Sequence, residues 1–203
     1  MPHNSHISHN SHKIPLPIQG GQGWVSKLIL SQILIAAYLF YPMAAYNINS
    51  SLPMQGGLGW VSLHFLSLFS HANIFHLLGN LLCLWLMKCR FRLPQALAIS
   101  FVCSFLPQWS LWGGTELACG FSSVLFAVAG MAWGEAGRFR DMIKKCVLPL
   151  VIVGLFPNVN IFIHLYALLL GYAYSHVSRL LRTRFHRAMP RFFTLHSSLF
   201  TSI

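Results

Sequence analysis

Residues 159–178 read VNIFIHLYALLLGYAYSHVS, a run without Asp, Glu, Lys or Arg, set between Pro157-Asn158 and Arg179. A helix needs about 20 predominantly apolar residues to cross the hydrocarbon of a bilayer, and this run has that length. Working outward, similar apolar stretches fall at roughly 28–46, 70–87, 93–112, 117–134 and 142–157. The fifth is the shortest, its uncharged part spanning Cys146 to Phe156, and Pro157-Asn158 separates it from the sixth. The expectation is an all-α membrane protein, a bundle of six transmembrane helices.

Composition agrees. Of 203 residues 55% are hydrophobic and 8% charged, against about 25% charged in a soluble globule. Fourteen Lys and Arg against three Asp and Glu give a formal charge of +11, but the basic residues lie in short clusters between apolar stretches, so no nucleic-acid partner is expected. Lys13 and Lys27 precede the first span; Lys88, Arg90 and Arg92 lie between the second and third. Arg138, Arg140, Lys144 and Lys145 lie between the fourth and fifth, and Arg179, Arg182, Arg184, Arg187 and Arg191 follow the sixth. Cytoplasmic loops carry the positive excess, so both termini are predicted in the cytoplasm, and the second, fourth and sixth spans start from the outside.

Three regions are expected: a disordered His/Ser/Asn-rich cytoplasmic tail over 1–27, the membrane domain over 28–178, and a basic cytoplasmic tail over 179–203. The first tail carries His3, His6, His9 and His12 at every third position, a ladder for which metal binding is a minor alternative. A signal-peptide reading of the first span fails on its long polar lead and extended apolar run. The stretch QGGQGWVS (19–26) recurs as QGGLGWVS (55–62), marking two Gly-rich openings of helices. The cysteines, Cys83, Cys89, Cys103, Cys119 and Cys146, show no CxxC pair or ligand spacing, so neither a disulfide framework nor a cysteine zinc site is expected.

Polar side chains inside a bilayer are costly and mark function by default. The second span opens HANIFHLLGN, with His71, His76 and Asn80; the fourth carries CGFSSVLFAVAG, with Ser122 and Ser123; the sixth has His164 soon after its start. At about 1.5 Å per residue, Ser122 and His164 each lie roughly 6 to 8 Å inside their spans and Asn80 about 12 Å, all in the outer third of the membrane. His76 and Asn80, four apart, share a helix face, whereas His71 is turned away and sits at the helix mouth. Ser123, Ala127, Gly130 and Gly134 form a small-residue stripe on the fourth span; His164, Ala167 and Gly171 form another on the sixth. If the stripes pack, His164 comes within reach of Ser122, and a serine beside a neutral imidazole is an activatable nucleophile.

Each residue alone has a plainer reading: Ser122 as a packing or backbone-bonding serine, His164 as a satisfied interior histidine, His76 with Asn80 as an interhelical hydrogen-bond pair. Chance does not readily put all four at matching depth on the three spans that start outside.

These residues resemble the rhomboid family, whose pattern is His-x-x-x-x-His-x-x-x-Asn, then Gly-x-Ser followed by a small residue, then His with small residues three and seven later. Here the pattern reads His71, His76 and Asn80; Gly120, Ser122 and Ser123; His164, Ala167 and Gly171. The resemblance implies an intramembrane serine endopeptidase with Ser122 as nucleophile and His164 as general base. The main chain at Ser122 and the side chains of His76 and Asn80 would hold the oxyanion, and Phe126 would stack on the catalytic histidine. Ser123 stands where the family usually has Gly or Ala, Ala167 replaces a common Gly, and Trp60-Val61 stands in the first outer loop without a Trp-Arg pair.

Glu116 lies in the loop before the fourth span, and Glu135 and Asp141 on the cytoplasmic side, so a dyad is expected rather than a Ser-His-Asp triad. No metal or cofactor is expected. The implied partners are the transmembrane helix of a substrate and the lipid bilayer, and the expected location is a multi-pass position in a bacterial inner membrane. Two rivals stay open: an inactive rhomboid-like protein that binds helices, and a transporter or channel lined by His64, His71, His76 and His164.

Overall fold

The computed structural model describes residues 22–40, 58–71, 73–90, 92–106, 120–154 and 160–200. Among them are seven α-helices and no strand: α1 (Gln22–Phe40), α2 (Leu58–Ser67), α3 (Ile74–Leu86), α4 (Leu93–Cys103), α5 (Ser122–Ala136), α6 (Phe139–Gly154) and α7 (Ile161–Phe200). The histidine ladder, Cys119, Glu116 and the Pro157-Asn158 break lie outside the described residues, as does nearly all of the expected N-terminal tail.

α5 is the central helix. Its Ser123, Val124, Leu125, Ala127, Val128, Gly130, Met131 and Gly134 are all buried, and a helix apolar all round is one surrounded by others. Its main partner is α7, which runs parallel to it, and the two small-residue stripes meet along that seam. A Cβ on Gly130 would collide with the Leu168 carbonyl oxygen, one on Gly134 with that of Tyr172, and one on Gly171 with that of Ala127. The backbones therefore approach as closely as small residues allow. The core continues through Leu77 and Leu84 of α3, Leu30 and Leu34 of α1, Ala96 and Cys103 of α4, and Ile163 and Ala167 of α7.

Large apolar side chains also cover the outside. Leu28, Ile29 and Ile33 on α1, Phe75, Leu78 and Leu82 on α3, Leu148 and Ile152 on α6, and Leu170 and Val177 on α7 are exposed, an outer surface suited to lipid rather than water. Among the described residues, Ile161–Phe185 is the one helical stretch both long and apolar enough to cross a bilayer; Trp24–Leu39, Ile74–Leu86 and Leu93–Cys103 are apolar but shorter.

Charge gathers at the end of the bundle away from Ser122. Lys27 donates to the Met87 carbonyl at the C-terminus of α3, where a cation meets unpaired carbonyls and the negative end of the helix dipole. Arg92 pairs with Glu135, joining the α3–α4 loop to the end of α5. That helix stops at Gly137, left-handed at φ 67°, and the Arg179 guanidinium packs so closely there that a Cβ would strike it.

The helix ends depart from the sequence reading. α1 starts at Gln22 rather than 28 and takes in Lys27, whose charge is satisfied on α3. α2, at the second Gly-rich stretch, was not among the six predicted spans; both copies of the duplicated segment do run into helices. α7 continues past 178 to Phe200 through the arginines, residues of good helix propensity.

Candidate active site

Gly120 begins the site. Its φ of +116° is a conformation glycine adopts readily and L side chains rarely do, and it breaks the chain so that α5 starts at Ser122. The serine therefore stands at the helix mouth, not one turn inside it as helical extrapolation from 117 predicts. The first helical bond of α5 is donated by Leu125 to the Phe121 carbonyl at 3.2 Å. The N–H groups of Ser122, Ser123 and Val124 thus precede the hydrogen-bonded ladder, as the first donors of any helix do.

α7 opens at Asn160, whose side-chain oxygen accepts the N–H groups of Phe162 and Ile163 at 3.1 and 3.3 Å, an N-cap. Its carbonyl oxygen lies 2.6 Å from Nδ1 of His164. A carbonyl can only accept, so Nδ1 carries the proton and Nε2 is left as the acceptor. Ser122 Oγ lies 2.6 Å from that Nε2. The hydroxyl donates to an imidazole already held in the tautomer that can take its proton. Sequence reasoning missed Asn160, although an Asn directly before an apolar run is a helix-start signal.

His164 is buried, and the Phe126 ring lies 5.1 Å from it at 67°. The contact is edge-on, correcting the stacked arrangement expected, because Phe126 and His164 project from parallel helices across the seam. Ala167 is fully buried and Gly171 meets Ala127, so the two residues following His164 on its face serve the approach that brings the dyad together. Ser123 is buried with no partner for its Oγ among the described residues; it is Ser122 that meets the imidazole.

α3 supplies the remaining groups. Asn73 caps it, accepting the His76 N–H at 2.9 Å. The His76 ring lies against Gly120, where a Cβ would come within 2.7 Å of Nε2, so His76 adjoins the turn leading into Ser122. Asn80, one turn further along the same face, is buried, and its Nδ2 donor has no partner among the described residues. Buried donors are nearly always paired, so its acceptor lies beyond the described residues. His71 is not turned away from His76: their rings are 5.2 Å apart. His71 itself stands outside any helix, and it donates from Nδ1 to the Phe69 carbonyl at 3.0 Å.

The arrangement is a serine-imidazole pair with the imidazole oriented by a backbone carbonyl, amides at the serine that precede the helical ladder, and a histidine and an asparagine on the neighbouring helix. Such a set can activate an alcohol and receive negative charge on a carbonyl oxygen. No curated protein and no solved structure matches the chain. The family model described as Rhomboid domain matches residues 59–180, more than half of the chain and all of these groups, and the chain belongs to the rhomboid family of integral membrane proteins.

Proposed function

We propose that this protein is an intramembrane serine endopeptidase that cleaves transmembrane segments of other membrane proteins. The observation that carries the reading is the 2.6 Å contact between Ser122 Oγ and His164 Nε2, with Nδ1 of the same ring held on the Asn160 carbonyl. Ser122 attacks the scissile carbonyl as His164 takes its proton; the intermediate collapses by breaking the C–N bond as His164 gives that proton to the leaving amine, and water, deprotonated by His164, then hydrolyses the acyl-enzyme and the proton returns to Ser122. The Asn160 carbonyl fills the orienting place that an aspartate holds in a triad. The Ser122 N–H, His76 and Asn80 receive the developing oxyanion.

A backbone amide inside a helix is hydrogen-bonded and shielded, so substrates unwind locally near the outer face, and Gly or Pro there should favour cleavage. Six spans with both ends cytoplasmic complete the proposal. Its support is the grouping of Lys27, Arg92, Glu135 and Arg179 at one end of the bundle and of Ser122, His76 and His164 at the other.

The test is incubation of the purified protein with a single-span substrate, wild type against Ser122→Ala. Cleavage by the wild type and none by the variant is expected. Uncut substrate, with Ser122 unlabelled by a fluorophosphonate probe, would favour a helix-binding protein without activity.

A further inference from the structure

The chain holds a second serine-histidine contact, in LHFLS at the end of α2. His64, Ser67 and Ser104 are all buried, and burying polar side chains is costly unless each is hydrogen-bonded. Each is. Ser104, directly after α4, donates its hydroxyl to the Phe101 carbonyl at 2.7 Å. Its oxygen therefore accepts Nδ1–H of His64, 3.0 Å away. The His64 ring also stacks on Phe105 at 4.4 Å and 22°, and Phe65 meets Phe101 edge-on at 6.1 Å. Ser67 Oγ donates back to the His64 carbonyl at 2.8 Å. The end of α2 is thereby fixed to the end of α4.

Ser67 is the last residue of α2, so its carbonyl has no helical partner. It accepts the Gly120 N–H at 2.9 Å, shared with the Ser70 N–H at 3.3 Å. Two residues further on, the ring of Phe69 lies 6.0 Å from that of Phe121. Gly120 and Phe121 are the turn that sets where α5 begins, and with it the direction of Ser122 and its N–H. A path of hydrogen bonds linked through His64 and Ser67 thus runs from Ser104 to Gly120, two residues before the proposed nucleophile.

We propose that His64 and Ser104 form a positioning pair which, through the Ser67 carbonyl, holds the Gly120 turn and so aligns Ser122 for attack. This rests on the protease reading given above, since alignment is measured by turnover. Neither side chain is placed at the reacting atoms; both act through α2.

The experiment uses the full chain with a single-span substrate and three variants. Ser104→Ala removes the acceptor, His64→Phe keeps a ring on Phe105 but has no donor, and His64→Asn can return an N–H near the Nδ1 position. Ser104→Ala and His64→Phe should each lower kcat by roughly tenfold to a hundredfold, as a small misplacement of a nucleophile does. KM should stay within about threefold, and the Gly120 amide should exchange its hydrogen about fivefold faster or more. His64→Asn should recover most of both losses. Near wild-type kcat with unchanged Gly120 exchange in folded Ser104→Ala and His64→Phe would overturn the pairing. So would a loss that only tracks the unfolded fraction and that His64→Asn does not recover. If the wild type itself leaves the substrate uncut, the protease reading fails on its own, and Gly120 exchange in the same variants still decides whether the pair holds the turn.

Discussion

Asn80→Ala separates a catalytic from a structural role most sharply, because the structure assigns the two roles opposite signs in stability. Asn80 is 5% exposed and its Nδ2 donor has no partner among the described residues. A buried donor unpaired in the resting protein costs about 1–3 kcal/mol, so if Asn80 meets its acceptor only in the transition state, removing it costs little stability and can raise it. In the proposed mechanism the same donor meets the oxyanion in the transition state, and losing one such donor typically costs about 2.7–4 kcal/mol, a factor of roughly 10² to 10³ in kcat. The expected variant melts at or above the wild-type temperature, turns over about a hundredfold or more slowly, and keeps KM within a few-fold. Its Ser122 still reacts with a fluorophosphonate, since the dyad is intact. The assay is steady-state cleavage of a single-span substrate beside thermal unfolding of the same preparation. Near wild-type kcat with a lowered melting temperature would refute the reasoning and make Asn80 an ordinary packing residue.

Three further outcomes are expected. His164→Ala should abolish cleavage while the protein stays folded, whereas Ser123→Ala should remain active, since Ser122 is the serine on the imidazole; the reverse pattern for the two serines would move the nucleophile by one residue. Gly171→Ala should lower stability by about 1–3 kcal/mol by driving a Cβ into the Ala127 carbonyl, whereas Gly79→Ala, whose Cβ meets nothing within 4 Å, should be neutral or gain about 0.5–1 kcal/mol; equal melting temperatures would count against the close α5–α7 seam. Accessibility tagging should find both termini and the Lys88–Arg92 loop on the cytoplasmic side, and an outside tag at any of them would overturn the topology.

The sequence shows helix faces well and helix ends poorly, for a physical reason. A face is written in every residue of the element: Ser123, Ala127, Gly130 and Gly134 repeat along α5, Ala167 and Gly171 along α7, and two such stripes on parallel helices can close only by bringing their backbones together. That closure sets His164 beside Ser122, so the proximity of the two side chains is legible in the sequence. An end is decided by one or two residues competing with a long apolar run, and three of them were passed over: Asn73 before α3, Gly120 before α5 and Asn160 before α7. α2 was missed because ten residues cannot cross a bilayer. Misjudging Asn73 put His71 on the wrong side of His76; missing Asn160 hid the group that fixes the His164 tautomer.

Misjudging Gly120 bears most directly on the chemistry. Were α5 continuous from 117, the Ser122 N–H would be spent on a carbonyl four residues earlier, and the serine could attack but not hold the oxygen it makes negative. With φ at +116°, the helix begins at the proposed nucleophile, leaving the Ser122 N–H outside the ladder, and Gly120 exposes a bare Cα against which the His76 ring can lie. One glycine thereby joins α3 to the turn at the proposed nucleophile and keeps its main-chain donor out of the helical ladder, so on the protease reading a side chain at position 120 should damage oxyanion binding more than it damages the Ser122–His164 contact.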